Sequence, residues 1–239
     1  MNPARKLRQT LCVSFSGVDG AGKSTQIEAL RVAAENAGLH VRISRFWDDV
    51  ACLTLLREAS GHKIFKGDKG IGSPEQPVSR RDKNVRSLPM SCIRLAIYTI
   101  DALSTHVAMT RARRSGADLF IFDRYLYDEL ANLSLENPVM RLFVHIAMVL
   151  TPRPDISFVL DADPEAARAR KPEYPIEFIR LNRQAYLFLA RILGDMTIIQ
   201  PMPIEDVKQA ILNHVLQRLT LSSSEQSQSG DKSLSQPVA

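Results

Sequence analysis

The sequence predicts an α/β fold, a five-stranded parallel sheet in three layers with helices on both faces. Three observations carry the prediction. Short apolar runs alternate with longer segments whose apolar residues recur at helical spacing. Two runs, "ADLFIFD" and "PDISFVLDAD", are almost continuously apolar, as parallel strands covered on both faces are. The stretch "SGVDGAGKST" sits between the first apolar run and the first helical segment.

The elements follow in order. "TLCVSF" reads as a short buried strand, and "STQIEALRVAAENAG" as a helix with the apolar residues Ile27, Leu30, Ala34 and Ala37 at helical spacing. Gly38 ends that helix, and "LHVRISRFW" alternates with the period of a second strand. "DVACLTLLREAS" predicts a helix. Residues 61–90, dense in glycine, proline and charge, predict a long loop. A long helix from Pro89 to Arg114 is expected to bury Ile93, Ala96, Ile97, Ile100 and Leu103. "ADLFIFD" is the third strand, followed by helices in "LYDELANLSL" and "NPVMRLFVHIAMVL". "PDISFVLDAD" is the fourth strand, and Pro164 opens the next helix. "IEFIRLNRQAYLFLARIL" is amphipathic, "MTIIQ" is the fifth strand, and "IEDVKQAILNHVLQRL" closes a single domain over residues 1–220. The polar segment 221–239 has little apolar surface to offset ordering entropy and is expected to be disordered.

An apolar fraction of 45% and a charged fraction of 24% over 239 residues exclude collagen, coiled coil and wholesale disorder. The net charge of +5 is uneven: residues 61–90 hold seven Lys/Arg against three Asp/Glu, a local excess of +4 that suits anionic ligands. That excess lacks interleaved aromatics, so nucleic acid is not an expected partner. Cys12, Cys52 and Cys92 have no metal-type spacing, and their odd number argues against a complete disulfide framework; the expected compartment is the reducing cytoplasm. The apolar run after the basic N-terminus leads straight into the glycine-rich stretch, which its removal as a signal peptide would destroy. No run approaches the length of a membrane span.

Gly17, Gly22, Lys23 and Ser24 fit G-x-x-x-x-G-K-[ST] in a strand-loop-helix setting, the phosphate loop of P-loop NTPases. Glycines there admit positive φ and bring N–H groups up to phosphate oxygens, and the helix N-terminus favours anions. Gly17, Val18, Asp19, Gly20, Ala21, Gly22, Lys23, Ser24 and Thr25 are therefore the expected ATP-binding residues, with Lys23 on the β/γ-phosphates and Ser24 on Mg²⁺. Ligands gather at the carboxyl ends of parallel strands. Asp123, ending the third strand in "FDRYLYDEL", is the natural second holder of Mg²⁺, and Arg124 brings a planar cation to the same crevice. The alternative is an aspartate that caps the next helix beside a solvated arginine.

"FSGVDGAGKST", "LFIFDRY", "PDISFVLDADPEAARAR" and "RQAYLFLA" together resemble the thymidylate kinase family of nucleoside-monophosphate kinases, from Leu11 to Gln217. The resemblance implies transfer of the γ-phosphoryl group from ATP to a nucleoside monophosphate, dTMP foremost, in a small-molecule enzyme compatible with a homodimer. It implies that Asp19 sits between donor and acceptor, that Arg124 steadies phosphate at the reacting centre, and that Arg170 opens the lid and reaches over the transferred group. Lys23, Asp123, Arg124 and Arg170 are thus the expected catalytic set, with Asp19, Trp47 and Arg124 toward the acceptor.

Three departures from the family bear on the acceptor. "RFWDDVACL" stands where a "REPGGT"-like segment is usual, Asp101 is followed by Ala102 rather than arginine, and the lid is shortened to "RARKPEYPIE". Gly20 stands where some thymidylate kinases carry an arginine. Trp47 suits either base stacking or packing at a core edge. Arg80, Arg81, Lys83 and Arg86 suit either an acceptor phosphate or a solvated loop, and Lys171 is equally open. The alternatives are a P-loop kinase with a sugar or small-metabolite acceptor and a non-catalytic ATP-binding regulator.

Overall fold

The computed structural model describes residues 10–46 and 88–232, with the side chains of 88–94 and 221–232 left aside. Strands β1 (Leu11–Ser16), β2 (Val41–Arg45), β3 (Leu119–Asp123), β4 (Ile156–Leu160) and β5 (Thr197–Ile199) form one sheet in the order β2-β3-β1-β4-β5. Every pair is parallel, with Phe15 opposite Asp123 and Ser16 opposite Val159. Its helices are α1 (Lys23–Asn36), α2 (Leu88–Arg114), α3 (Leu126–Leu130), α4 (Pro138–Leu150), α5 (Pro164–Arg170), α6 (Ile176–Leu193) and α7 (Ile204–Lys232).

Strand periodicity splits the core in two. Leu11, Val13 and Phe15 of β1, Leu119 and Ile121 of β3, and Phe158 of β4 point to the face covered by Ile27 and Leu30 of α1 and Ile211 and Val215 of α7. Cys12, Phe120, Phe122 and Val159 point the other way, to the side filled from α2, α3, α4 and α6. Two helix starts follow from their sequence. Asn137 Oδ1 accepts from the Val139 N–H at 2.9 Å before α4, and Asp163 Oδ1 from the Ala166 N–H at 2.9 Å before α5, each with a proline in the first turn. Among the described residues, no helix is long and apolar enough to cross a membrane.

Three expectations are corrected. The buried stripe of α2 runs through Tyr98, Asp101, Ala102, Thr105, Met109 and Ala112, whereas Ala96 is exposed, Ile100 is 39% exposed and Leu103 58%. Counting apolar residues favours the wrong face because the buried one includes an aspartate and a threonine. The helix in "LYDELANLSL" stops after five residues, with turns beyond Leu130. The polar tail does not begin as coil at residue 221: α7 continues to Lys232 through Ser, Gln and Glu, with no proline to end it. The helix expected in "DVACLTLLREAS", and residues 61–87 of the long loop, lie outside the described residues; Leu88 to Met90 begin α2.

Candidate active site

β1 is flanked by β3 on one side and β4 on the other, so the chain leaves the sheet in opposite directions at their carboxyl ends and opens a crevice there. Residues 17–25 leave β1, Asp123 and Arg124 leave β3, and Asp161 leaves β4, so three strand ends supply one site.

The loop after β1 is shaped for close approach. Gly17 has φ 137° and Gly20 φ 82°. A Cβ on Gly17 would lie 2.5 Å from the Leu160 carbonyl oxygen, and one on Gly20 would lie 2.2 Å from that of Ala167. Only glycine fits either place. Lys23 at the head of α1 is buried, and its ammonium donates to the carbonyls of Gly17 at 2.7 Å and Val18 at 2.9 Å. Burial, then the nearby Arg124, push its pKa down to about 8, although Asp128, Asp19 and Asp123 pull the other way. A cation desolvated this far gains from an incoming anion. Ser24 and Thr25 are exposed at the start of α1. The glycine cradle and this lysine fit a phosphate-bearing ligand.

Arg124 is the only non-glycine with positive φ among the described residues, at 70°. An arginine in the left-handed region costs about 1–2 kcal/mol and is retained where its surroundings over-determine it. Its N–H donates to the Phe15 carbonyl at 3.0 Å. Its guanidinium donates through Nη2 to Asp19 in the phosphate loop and through Nη1 to Asp128 Oδ1 at 2.8 Å. Burial opposes the charge, yet Asp128 and Asp19 outweigh it and hold the arginine firmly protonated.

The structure brings Asp19, Lys23, Asp123 and Arg124 to the ends of β1 and β3. Arg170 is exposed, and its Nε donates to the Ala166 carbonyl of its own helix at 3.1 Å. Its neighbour Lys171 faces the loop, with Nζ 4.0 Å from Asp19 Oδ1 and 3.7 Å from Glu173 Oε2. Trp47, Arg80, Arg81, Lys83 and Arg86 lie outside the described residues.

Two groups escaped sequence reasoning. Asp128 is buried beside Arg124 and accepts from Ser16 Oγ and the Tyr186 hydroxyl, both at 2.7 Å. Its place four residues after Arg124 on a short helix was the available signal. Asp161 takes a bidentate pair from Arg183 of α6 at 2.6 and 2.8 Å, a partnership across 22 residues that sequence spacing does not reveal.

No protein-family model matches the chain. It is 25% identical over 218 residues to a probable thymidylate kinase of Methanosphaera stadtmanae, covering 87% of this chain and 99% of that one. A thymidylate kinase of Bifidobacterium longum is 29% identical over 191 residues, 75% of this chain and 84% of that one. Among solved structures, thymidylate kinase from Ehrlichia chaffeensis shares the fold with a TM-score of 0.52 at 18% identity, over 86% of this chain and 98% of that one. Along most of its length this chain is thus similar to several proteins named thymidylate kinase, and it shares the fold of a solved one.

Proposed function

We propose that this protein transfers the γ-phosphoryl group of ATP to a nucleoside monophosphate, with dTMP as the acceptor and Mg²⁺ as the metal. The observation that carries this reading is the meeting of Arg124 with Asp19: the cation at the end of β3 is held against the acidic residue inside the phosphate loop. Phosphoryl transfer passes through a loose transition state, so positioning and charge stabilisation supply most of the catalysis. Lys23 and the loop N–H groups bind the donor phosphates. Arg124 offers its planar donors where donor and acceptor meet, and Asp19 keeps that guanidinium in place until phosphate competes for it. Ser24 and Asp123 are the residues to hold Mg²⁺, which when bound offsets charge on the phosphates.

An ADP-release screen over nucleoside monophosphates and phosphorylated sugars tests the reading. ADP release with dTMP well above the other acceptors supports it. Release with a phosphorylated sugar alone would move the acceptor to another class, and ATP binding without turnover on any acceptor would favour a regulatory protein.

A further inference from the structure

The carboxylate of Asp128 is fully occupied. Oδ1 accepts from Arg124 Nη1 at 2.8 Å and from the Tyr186 hydroxyl at 2.7 Å. Oδ2 accepts from Ser16 Oγ at 2.7 Å and from the Tyr125 N–H at 3.1 Å. A carboxylate offers about four lone-pair positions, and all four are used here. Asp128 therefore has no acceptor position left for a substrate proton or a metal ion. It is 4% exposed, so solvent does not compete for these bonds.

The four donors come from three separate parts of the site. Ser16 ends β1 directly before Gly17, Tyr186 lies on α6, and Tyr125 follows Arg124 in the turn out of β3. Asp128 thus ties the start of the phosphate loop, the strained turn and α6 to one side of the guanidinium, and leaves Nη2 directed at Asp19. Arg124 has four side-chain torsions, and a single contact to the 28%-exposed Asp19 would fix it poorly. A second, buried carboxylate on Nη1 fixes both the plane and the direction of the fork.

We propose that Asp128 is a positioning residue for phosphoryl transfer, acting through Arg124 by holding the guanidinium in the orientation that meets phosphate. This rests on the function proposed above. The competing account is that Asp128 only stabilises the start of α3, where it sits as the third helical residue and accepts the N-cap N–H.

The test has two arms on the full chain. In the first, kcat and KM are measured for wild type, Asp128→Asn, Arg124→Ala and the double variant. We expect Asp128→Asn to lower kcat at least about 30-fold with ATP KM changed less than about 3-fold, and to cost less than about 3-fold when Arg124 is already alanine. An equal loss in both backgrounds, or unimpaired turnover, overturns the proposal. In the second, ¹⁵N NMR follows the Arg124 guanidinium, assigned by its loss in Arg124→Lys. Restricted Nη signals are expected in wild type and averaged ones in Asp128→Asn; signals still restricted in that variant overturn the proposal. Should Asp128→Asn fail to fold, Asp128→Glu keeps the charge but displaces it, and the same two readouts apply. The NMR arm needs no substrate. Absence of wild-type turnover on every monophosphate would therefore sink the proposed function while the positioning of Arg124 is still decided.

Discussion

Gly20 of the phosphate loop lies against the Ala167 carbonyl, so close that a Cβ would stand 2.2 Å from the oxygen. Position 20 has no room for the arginine expected there by resemblance to some thymidylate kinases, because α5 occupies the space and the backbone is left-handed. Gly20→Ala must then push α5 off the loop. The expected result is a loss of roughly 2–4 kcal/mol in urea denaturation, from left-handed strain plus the clash, together with weaker ATP binding. A variant of wild-type stability would show that α5 is free to move aside.

Lys23 gives the site a pH dependence. Its pKa is about 8 in the folded chain against an ordinary 10.5, chiefly from burial. Between those values the unfolded state binds more protons, so the sign is a stability that rises with pH across that window. The penalty is complete below about pH 8 and gone above about 10.5. Lys23→Met should accordingly raise stability at pH 7 by roughly 1–3 kcal/mol while lowering turnover at least about 100-fold. On ATP binding near pH 8.5, Lys23 should take up a proton, seen by calorimetry in buffers of different ionisation enthalpy. An Lys23→Met protein less stable than wild type would refute this account of the lysine.

Much of this fold is legible without coordinates because each strand announces itself locally. "LCVSFS" and "ISFVL" are buried on both faces, and the glycine loop lies at the one junction where β1 becomes α1. What escapes is pairing across distance. Asp128 looks like an ordinary acid in the first turn of a helix, and only folding puts Ser16 and Tyr186 on its two oxygens. The buried side of α2 escapes for a related reason: Asp101 and Thr105 are polar by type, and nothing in periodicity says that they are enclosed.

The Asp161–Arg183 pair should matter for stability through its geometry. Asp161 is nearly inaccessible at its side chain (2%), while Arg183 keeps 35% of its own exposed. Removing the arginine leaves a buried carboxylate with a lost bidentate partner, so Arg183→Ala should cost roughly 1–3 kcal/mol. Lysine cannot reproduce two parallel N–H bonds, and Arg183→Lys should recover less than half of that loss in the same denaturation experiment. Full recovery would mean that charge alone is required.

The last prediction concerns the cation that closes the site. The family resemblance points to Arg170, whereas the structure turns Arg170 back onto the Ala166 carbonyl and sets Lys171 within 4.0 Å of Asp19. Asp19 already contacts Arg124, so an ammonium beside it borders the place where the reacting phosphate is expected. A cation met mainly in the transition state lowers kcat more than it raises KM when removed. Lys171→Ala should therefore reduce kcat at least about 10-fold with ATP KM within about 3-fold, while Arg170→Ala changes either constant by less than about 3-fold. Lys171→Arg should keep most of the rate, since charge at that point is what is used. The reverse ranking, with Arg170→Ala crippled and Lys171→Ala active, would mean that α5 rotates on closure to bring Arg170 inward. If neither variant loses rate, the role passes to the basic segment, and Arg80→Ala, Arg81→Ala and Arg86→Ala become the variants whose kcat identifies the cation.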